Sequence, residues 1–350
     1  MMKTIPEGKV KHTQFKPTGH NNRLETKFSF GLILIDIMGF SIYSKITNEL
    51  LYNWDGGLNN YECSENSIIF QRPDYSYRIM TFKHSLIPRE EIKCIEEKCI
   101  LSCDYSSCFE FKYPFFAIHE VEKDLKLFDV QSGKDMIKEN GIVLQRSQEF
   151  KRFTLSKQYL VILEYKSSIV KSLLVFKTLY MNEKPYEITT YEYSDFYLSN
   201  NMLFIYYPSF CEHSITIECH DLNTRKVTNI DVPHLHIRSI DHSFINAFAS
   251  GIFIRIYEWN SNFTKLRTLI DLDPGKNLLE CFTKLLPFYV LSEIENGLFI
   301  LRVYSKIDKK MLIECKVIHN VDFITDGISK IYYRYYSGGE PMIGIIDFHC

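Results

Sequence analysis

Alanine is almost missing from this chain, occurring only at Ala117, Ala247 and Ala249 among 350 residues. A sequence so poor in the strongest helix former is ill suited to a helical bundle. No stretch approaches the eighteen or so consecutive apolar residues that a transmembrane helix needs, which argues against membrane insertion. The N-terminal MMKTIPEGKVKHTQFKPTGH lacks the apolar centre of a signal peptide. An excess of charge is also lacking: 41 basic and 43 acidic side chains leave a net charge of −2, so no overall field gathers nucleic acid or anionic lipid. The ten cysteines are scattered, without compact secreted-domain spacing, and we expect reduced thiols in the cytosol or nucleus.

What the chain does have is aromatic and β-branched residues in quantity. Aromatics make up 15% of it, with 26 Phe and 23 Tyr, and apolar residues 45%. That is enough for a substantial core, and the bias favours pleated sheets. AT-rich coding accounts for part of the Phe, Tyr and Ile excess, but the order of these residues does not depend on it. A hairpin cadence returns about every 44 residues, most legibly in FSIYSKITNELL, DLKLFDVQSGKDM, ITIECHDLNTRKV, IRIYEWNSNFTKL and LRVYSKIDKKMLI. The aromatic or His closing each unit's third strand stands at Tyr43, Phe82, Phe128, Phe176, His220, Tyr257, Tyr304 and Phe348. The local pattern alternates with period two: in LKLFD, Leu125, Leu127 and Asp129 share one face while Lys126 and Phe128 share the other. Runs such as QYLVILEY, NMLFIYY and GLFILRVY are too apolar for half-exposed strands and suit inner strands covered on both faces.

Repetition at this period, with this alternation, predicts an all-β chain: a single β-propeller of four-stranded sheets spanning residues 1–350. Eight blades follow by count, and seven if the weak unit around residues 61–93 is discounted. The last unit stops at Cys350 after a third strand. Residues 9–15 are expected to supply the missing fourth and close the ring, with residues 1–8 as a flexible arm. IPREE, CDYSSCFEF and MNEKP mark expected loops, and KNLLECFTKLL (276–286) reads either as a short helix or as a first strand.

The first full unit runs from Thr18-Gly19-His20 through RLETKFSF, GLILIDIMG and FSIYSK, a turn at Thr47–Asn48, and ELLYNW. It resembles a WD40 repeat, which passes from a Gly-His pair through three strands to a Trp-Asp pair. Gly19 and His20 match the first pair; the second reads Tyr43-Ser44, Phe128-Asp129 and His220-Asp221, so that only Asp129 and Asp221 keep the acid. The resemblance covers nearly the whole chain in cadence and implies a protein that docks peptides or partner subunits within multiprotein assemblies.

Sites of chemistry are few. Cys94, Cys99, Cys103 and Cys108 form C-x4-C-x3-C-x4-C, without the C-x2-C knuckles of strong zinc motifs, so buried structural thiols are the commoner explanation. His234 and His236, with Asp231, Asp241 and His242 nearby, could offer two imidazoles to a metal, but no third ligand is identifiable, and a solvated loop explains them as well. His220 fits packing. No G-x-S-x-G elbow or P-loop occurs, and Gly338-Gly339 sits where a hairpin turn belongs. The carboxylate pairs Glu90-Glu91 and Glu96-Glu97 lie in charged segments.

The resulting expectation is a non-catalytic, cofactor-free interaction scaffold, a subunit of an intracellular complex in cytoplasm or nucleus, whose partners are proteins or peptides. Arg255, Arg302 and Arg334 lie inside apolar strands and must reach solvent, pair with an acid or face a central channel. With Tyr332 and Tyr336 they form the expected partner-binding set, since Arg and Tyr are common at interface hot spots. A nucleic-acid-associated factor using the basic N-terminal segment (Lys3, Lys9, Lys11, Lys16, Arg23, Lys27) is the alternative, and a propeller enzyme with a central-channel site is the third.

Overall fold

In the computed structural model the chain is described over residues 10–18, 23–86, 91–102, 107–120, 123–144, 152–165, 170–191, 194–206, 214–233, 236–240, 244–249, 253–259, 266–272, 277–282, 288–295, 298–305, 310–317, 322–325 and 330–348. Between 233 and 299 the description is of backbone only. The described strands form eight four-stranded antiparallel sheets. In chain order, the first seven cover residues 23–55, 60–102, 107–135, 153–191, 195–233, 236–272 and 277–317. The eighth takes three strands from residues 322–348 and its fourth from Val10–Phe15. One four-residue helix, Met136–Glu139, follows the third sheet and is capped by Asp135, whose side chain accepts from the Ile137 and Lys138 amides. No helix among the described residues is long and apolar enough to cross a membrane.

The chain divides into two compact units, residues 1–102 with 275–350, and residues 103–274. Within the first, the strand Gly31–Asp36 is buried on both sides, and its two parities serve different neighbours. Ile33 and Ile35 pack with Ile68, Phe70, Met80 and Phe82 of the second sheet. Leu32 and Leu34 pack with Tyr332, Ile343 and Ile345 of the eighth. The second unit repeats the device in Tyr159–Tyr165. There Leu160 and Ile162 join Phe115 and Leu127 of the third sheet, while Tyr159, Val161 and Leu163 join Phe196, Leu203 and Ile205 of the fifth. A strand with period-two geometry and a partner on each face has no polar positions to spare, which is why QYLVILEY and GLILID read as unbroken apolar runs.

All eight of the residues expected to close a third strand do lie on the third strand of their sheet, from Tyr43 in Gly39–Ser44 to Phe348 in Glu340–Phe348. The weak segment around 61–93 belongs to a complete sheet, with strands Asn60–Ser64, Ser67–Gln71, Ser76–Ser85 and Glu91–Ser102. KNLLECFTKLL supplies the strand Asn277–Phe282. The loop expected at CDYSSCFEF is corrected: Ser107–Lys112 is the first strand of the third sheet, its alternating Cys108, Phe109, Glu110 and Phe111 paired with Phe116–His119. RLETKFSF is also shorter as a strand than it reads, ending at Glu25. Beyond it the carbonyls of Thr26 and Phe28 accept from the Lys45 ammonium, and Phe28 and Phe30 turn inward to the core. Gly338 and Gly339 form the expected two-residue hairpin turn, with φ of 61° and 82°. Both values are positive, as a type I′ turn requires.

The N-terminal strand pairs with the last along its whole length, from Val10 opposite Phe348 to Phe15 opposite Ile343. Phe15 packs beside Tyr43 with ring centroids 5.5 Å apart, and Lys16 pairs with Glu340 at 2.7 Å. Without this strand the edge of Glu340–Phe348 would present a row of unpaired amides and carbonyls. Deleting residues 1–16 is therefore expected to lower the thermal midpoint by several degrees or more and to promote association. A melting curve unchanged from the full chain would show that the pairing contributes nothing.

Candidate functional site

The third strand of a unit must be turned back sharply into the fourth, and in the first, third and fifth sheets the residue after the closing aromatic or His does this. Asp221 Oδ1 accepts from the Asn223 and Thr224 amides at 3.0 and 3.3 Å, and Oδ2 from the Thr224 hydroxyl at 2.8 Å. Asp129 repeats the arrangement with the Gln131 amide and the Ser132 hydroxyl, both at 2.9 Å. Ser44, where the acid is absent, accepts through Oγ from the Ile46 and Thr47 amides at 2.9 and 2.8 Å. The three positions are Asx or Ser/Thr turns, so their side-chain oxygens serve turn geometry. His220, just before Asp221, is buried, with Nε2 3.1 Å from Glu218 Oε2.

The residues expected to contact partners fare differently from one another. Arg302 crosses to its register partner Glu314, Nε to Oε2 at 2.9 Å. This is the paired-acid outcome for an Arg in an apolar strand. Tyr332 corrects the expectation of a contact role. It is 0% exposed, in the core with Leu32, Leu34, Tyr43 and Ile345, because the face it shares with Arg334 and Tyr336 is covered at that end of the strand. Arg334 and Tyr336 are partly exposed neighbours on that face, the guanidinium carbon 5.9 Å from the ring centroid. The two form a cation–π arrangement. Tyr333 and Tyr335, of opposite parity, stack on each other at 5.5 Å and are buried. Arg255 lies in Phe253–Trp259 opposite Ala247 and Asp271 in register; its side chain is outside the described residues.

Among the four cysteines considered for zinc, Cys94 and Cys99 lie on Glu91–Ser102 and Cys108 on Ser107–Lys112; Cys103 is outside the described residues. The five cysteines whose side chains are described, these three with Cys63 and Cys219, are free thiols. Burial pushes the Cys219 thiol up to about 12. At neutral pH it stays protonated and unreactive. Among the described residues no group of three or more His, Cys, Asp or Glu could hold a metal ion. Gly19, His20, His234, Asp241 and His242, and the side chain of His236, lie outside the description; Asp231 is exposed and accepts from the Thr216 hydroxyl at 2.6 Å. Of the basic N-terminal residues, Lys16 is paired with Glu340, Arg23 stands 5.5 Å over the Tyr61 ring, and Lys27 lines a groove of about 650 Å³.

Two features escaped the sequence. One is the turn Ile37–Met38, whose side chains are 75% and 64% exposed. Asp36 accepts from the Met38 and Gly39 amides, and the Met38 carbonyl accepts from Gly56 and Gly57, the Ile37 carbonyl from Leu58. An exposed apolar pair is thus held on a turn whose two carbonyls and Met38 amide are hydrogen-bonded. The run LILIDIMGFSI gives no sign of it, because Ile37 and Met38 read as a continuation of the core pattern. The other is the groove at Lys27.

No protein-family model matches the chain, and no curated protein matches it. Among solved structures it is similar to the WD40 domain of SCAP from fission yeast, with 7% identity over 98% of this chain and 99% of that one and a TM-score of 0.57. It is also similar to the computationally designed Ika8 protein (12% identity, 94% and 98% covered, TM-score 0.52). A prolyl endopeptidase matches with 12% identity and a TM-score of 0.53, over 84% of this chain and half of that one. At such identities the likeness shows the fold, a WD40-like β-propeller whose signature dipeptides are mostly replaced. The same fold is shared with a WD40 domain and with an endopeptidase, so function has to be argued from the side chains.

Burial raises the Asp221 carboxyl, but hydrogen bonds from Thr224, Asn223 and Asn201 outweigh it and hold it below the ordinary value. A carboxyl titrating lower in the folded than the unfolded chain stabilises the fold above about pH 4, and that contribution is lost as pH falls through the folded value. Asp221→Ala is expected to cost about 1 kcal/mol at neutral pH. The deficit should shrink as the wild type is acidified, measured by chemical unfolding across pH; a deficit independent of pH would dismiss the turn carboxylate as its source.

Proposed function

We propose that this protein is a non-catalytic interaction scaffold, a propeller subunit of an intracellular multiprotein complex. In this reading residues 1–350 are one domain, the eight sheets are its blades, and the pairing of Val10–Phe15 with Glu340–Phe348 closes the ring. The observation that carries the functional part is the Ile37–Met38 turn. Leaving two large apolar side chains in water forgoes burial worth roughly 1.5–3 kcal/mol apiece. Yet the backbone beneath them is pinned by hydrogen bonds on both sides. A rigid turn with an exposed apolar tip is pre-organised for a partner, which covers the tip without having to order it. Arg334 and Tyr336 are the second proposed contact, a partly exposed cation–aromatic pair of the kind that anchors interfaces, with Arg255 a candidate for the same role.

The supporting contrast is with the charged groups. Asp129 and Asp221 hold turns, Glu110 accepts from the Leu155 amide at 2.6 Å and so ties the third sheet to the fourth, and Arg302 is matched to Glu314. These groups serve the frame.

Tagged protein purified from its native cells, analysed by mass spectrometry, is expected to bring down one stoichiometric complex. Ile37→Asp/Met38→Asp should weaken that recovery at least about tenfold, the loss of about 1.4 kcal/mol or more of binding, while leaving the melting curve unchanged. Recovery of the chain alone would overturn the scaffold reading.

A further inference from the structure

Between the first and second sheets, on the side of their first hairpin turns, lies the groove of about 650 Å³ lined by Lys27, Ser29, Phe30, Glu65, Asn66, Phe82, Lys83, His84 and Ile95. Its floor is fixed. Asn66 and Phe82 are joined twice, the Phe82 amide donating to the Asn66 carbonyl at 2.9 Å and Asn66 Nδ2 to the Phe82 carbonyl at 3.0 Å. His84 stacks on Phe30 with centroids 5.0 Å apart and planes 18° from parallel. Glu65, at the hairpin turn, has φ of 55° and is exposed.

The wall at Ile95 has a definite origin. Thr81 pairs with Glu96 and Phe82 with Cys94, so Ile95 is the extra residue of a β-bulge. A bulge re-aims the side chain it carries. Ile95 is left 60% exposed at the groove's rim. Charge around the groove is unevenly matched. The acids on the strand that carries Ile95 are occupied: Glu91 with Lys93, Glu96 with Lys98 at 3.2 Å, Glu97 with Arg78 at 3.0 Å. No described ion pair uses Lys27 or Lys83, and both are exposed. The site therefore joins two uncommitted ammonium groups to an apolar, aromatic floor and one bulged isoleucine.

We propose that this groove docks an acidic peptide segment of a protein partner, with carboxylates at Lys27 and Lys83 and an apolar side chain between Phe30 and Ile95. The inference rests on the scaffold reading and names a docking site and the chemistry of its occupant. A groove of this volume takes a few side chains, with oriented polar groups at its rim to fix register. Lysine suits this role as a compact charge on a flexible stem. A nucleic-acid strand fits less well, because two lysines beside Glu65 are too few to track a phosphate backbone, and only one aromatic surface is offered for stacking.

The test is fluorescence anisotropy at physiological ionic strength with a fluorescein-labelled octapeptide, EEELFEEE, against the full chain. Saturable binding is expected, falling at least about tenfold in Lys27→Glu/Lys83→Glu and a few-fold in Ile95→Ser, with KKKLFKKK not bound. Lys27→Gln/Lys83→Gln should be intermediate, and circular dichroism melts of all variants should match the wild type, since no described ion pair depends on these lysines. Absence of binding to the wild type, equal binding by Lys27→Glu/Lys83→Glu, or stronger binding of a matched-length oligo(U) RNA would each overturn the proposal. Purification of the Lys27→Glu/Lys83→Glu chain separates this from the wider reading. A complex retained intact while the octapeptide fails removes the groove and leaves the scaffold, whereas wild-type chain recovered alone removes the scaffold itself.

Discussion

The constraint on which the rest depends is that the inner strands have no free face. In Gly31–Asp36 the even positions Leu32 and Leu34 meet one neighbouring sheet and the odd positions Ile33 and Ile35 meet the other. Tyr159–Tyr165 does the same in the second unit. Slipping such a strand by one residue would exchange its two sets of partners, so register is fixed from both sides at once. Polar chemistry is thereby pushed to strand ends and turns. Arg302, an exception inside a strand, comes with a register partner of opposite charge.

The same constraint explains how little of the WD40-like signature the chain needs. In three sheets the residue after the closing aromatic or His accepts from groups two and three residues on and so turns the chain. Aspartate does it at 129 and 221, and serine does it at 44 with a shorter reach and one oxygen. The closing residue itself must fill space between sheets, which Tyr43, Phe82 and Phe176 all do, buried to within a few per cent of completely. His220 occupies the place with an imidazole that is also buried. Lys83 and Lys177 stand at the same place with no acceptor to offer, so the second letter is free to change while the closing volume is kept, which leaves cadence recognisable after the dipeptide has gone.

What the sequence made legible follows from this. Third-strand closing residues could be read from spacing because Tyr43, Phe82, Phe128, Phe176 and His220 are each buried at the same point of their sheet. The strand at Asn277–Phe282 could be read only as one of two alternatives, since KNLLECF carries apolar residues that satisfy either period. The segment Thr26–Phe30 looked like more strand because Phe28 and Phe30 alternate, but the Lys45 ammonium takes two of its carbonyls and the ladder stops at Glu25. Tyr332 was placed at an interface from its company of arginine and tyrosine. One strand covered on both faces buried it, while its same-face neighbours Arg334 and Tyr336 reach the open end.

The groove was invisible for a different reason. It depends on a bulge, and a bulge is a mismatch between two strands: nothing in EIKCIEEKC says that Ile95 will be the residue left over opposite Thr81 and Phe82. Under strict alternation the isoleucine belongs to a strand face like any other; two residues against one put it outside. The lysines beside it are equally ordinary in sequence, one just past the end of a first strand and one near the end of a third. Only pairing between the two sheets brings them to one concavity. Large apolar side chains stand in water at several other places, Ile46, Val143 and Leu179 among them; what sets Ile37 with Met38 and Ile95 apart is the turn held from both sides and the bulge at a groove's rim, where a partner has something to gain.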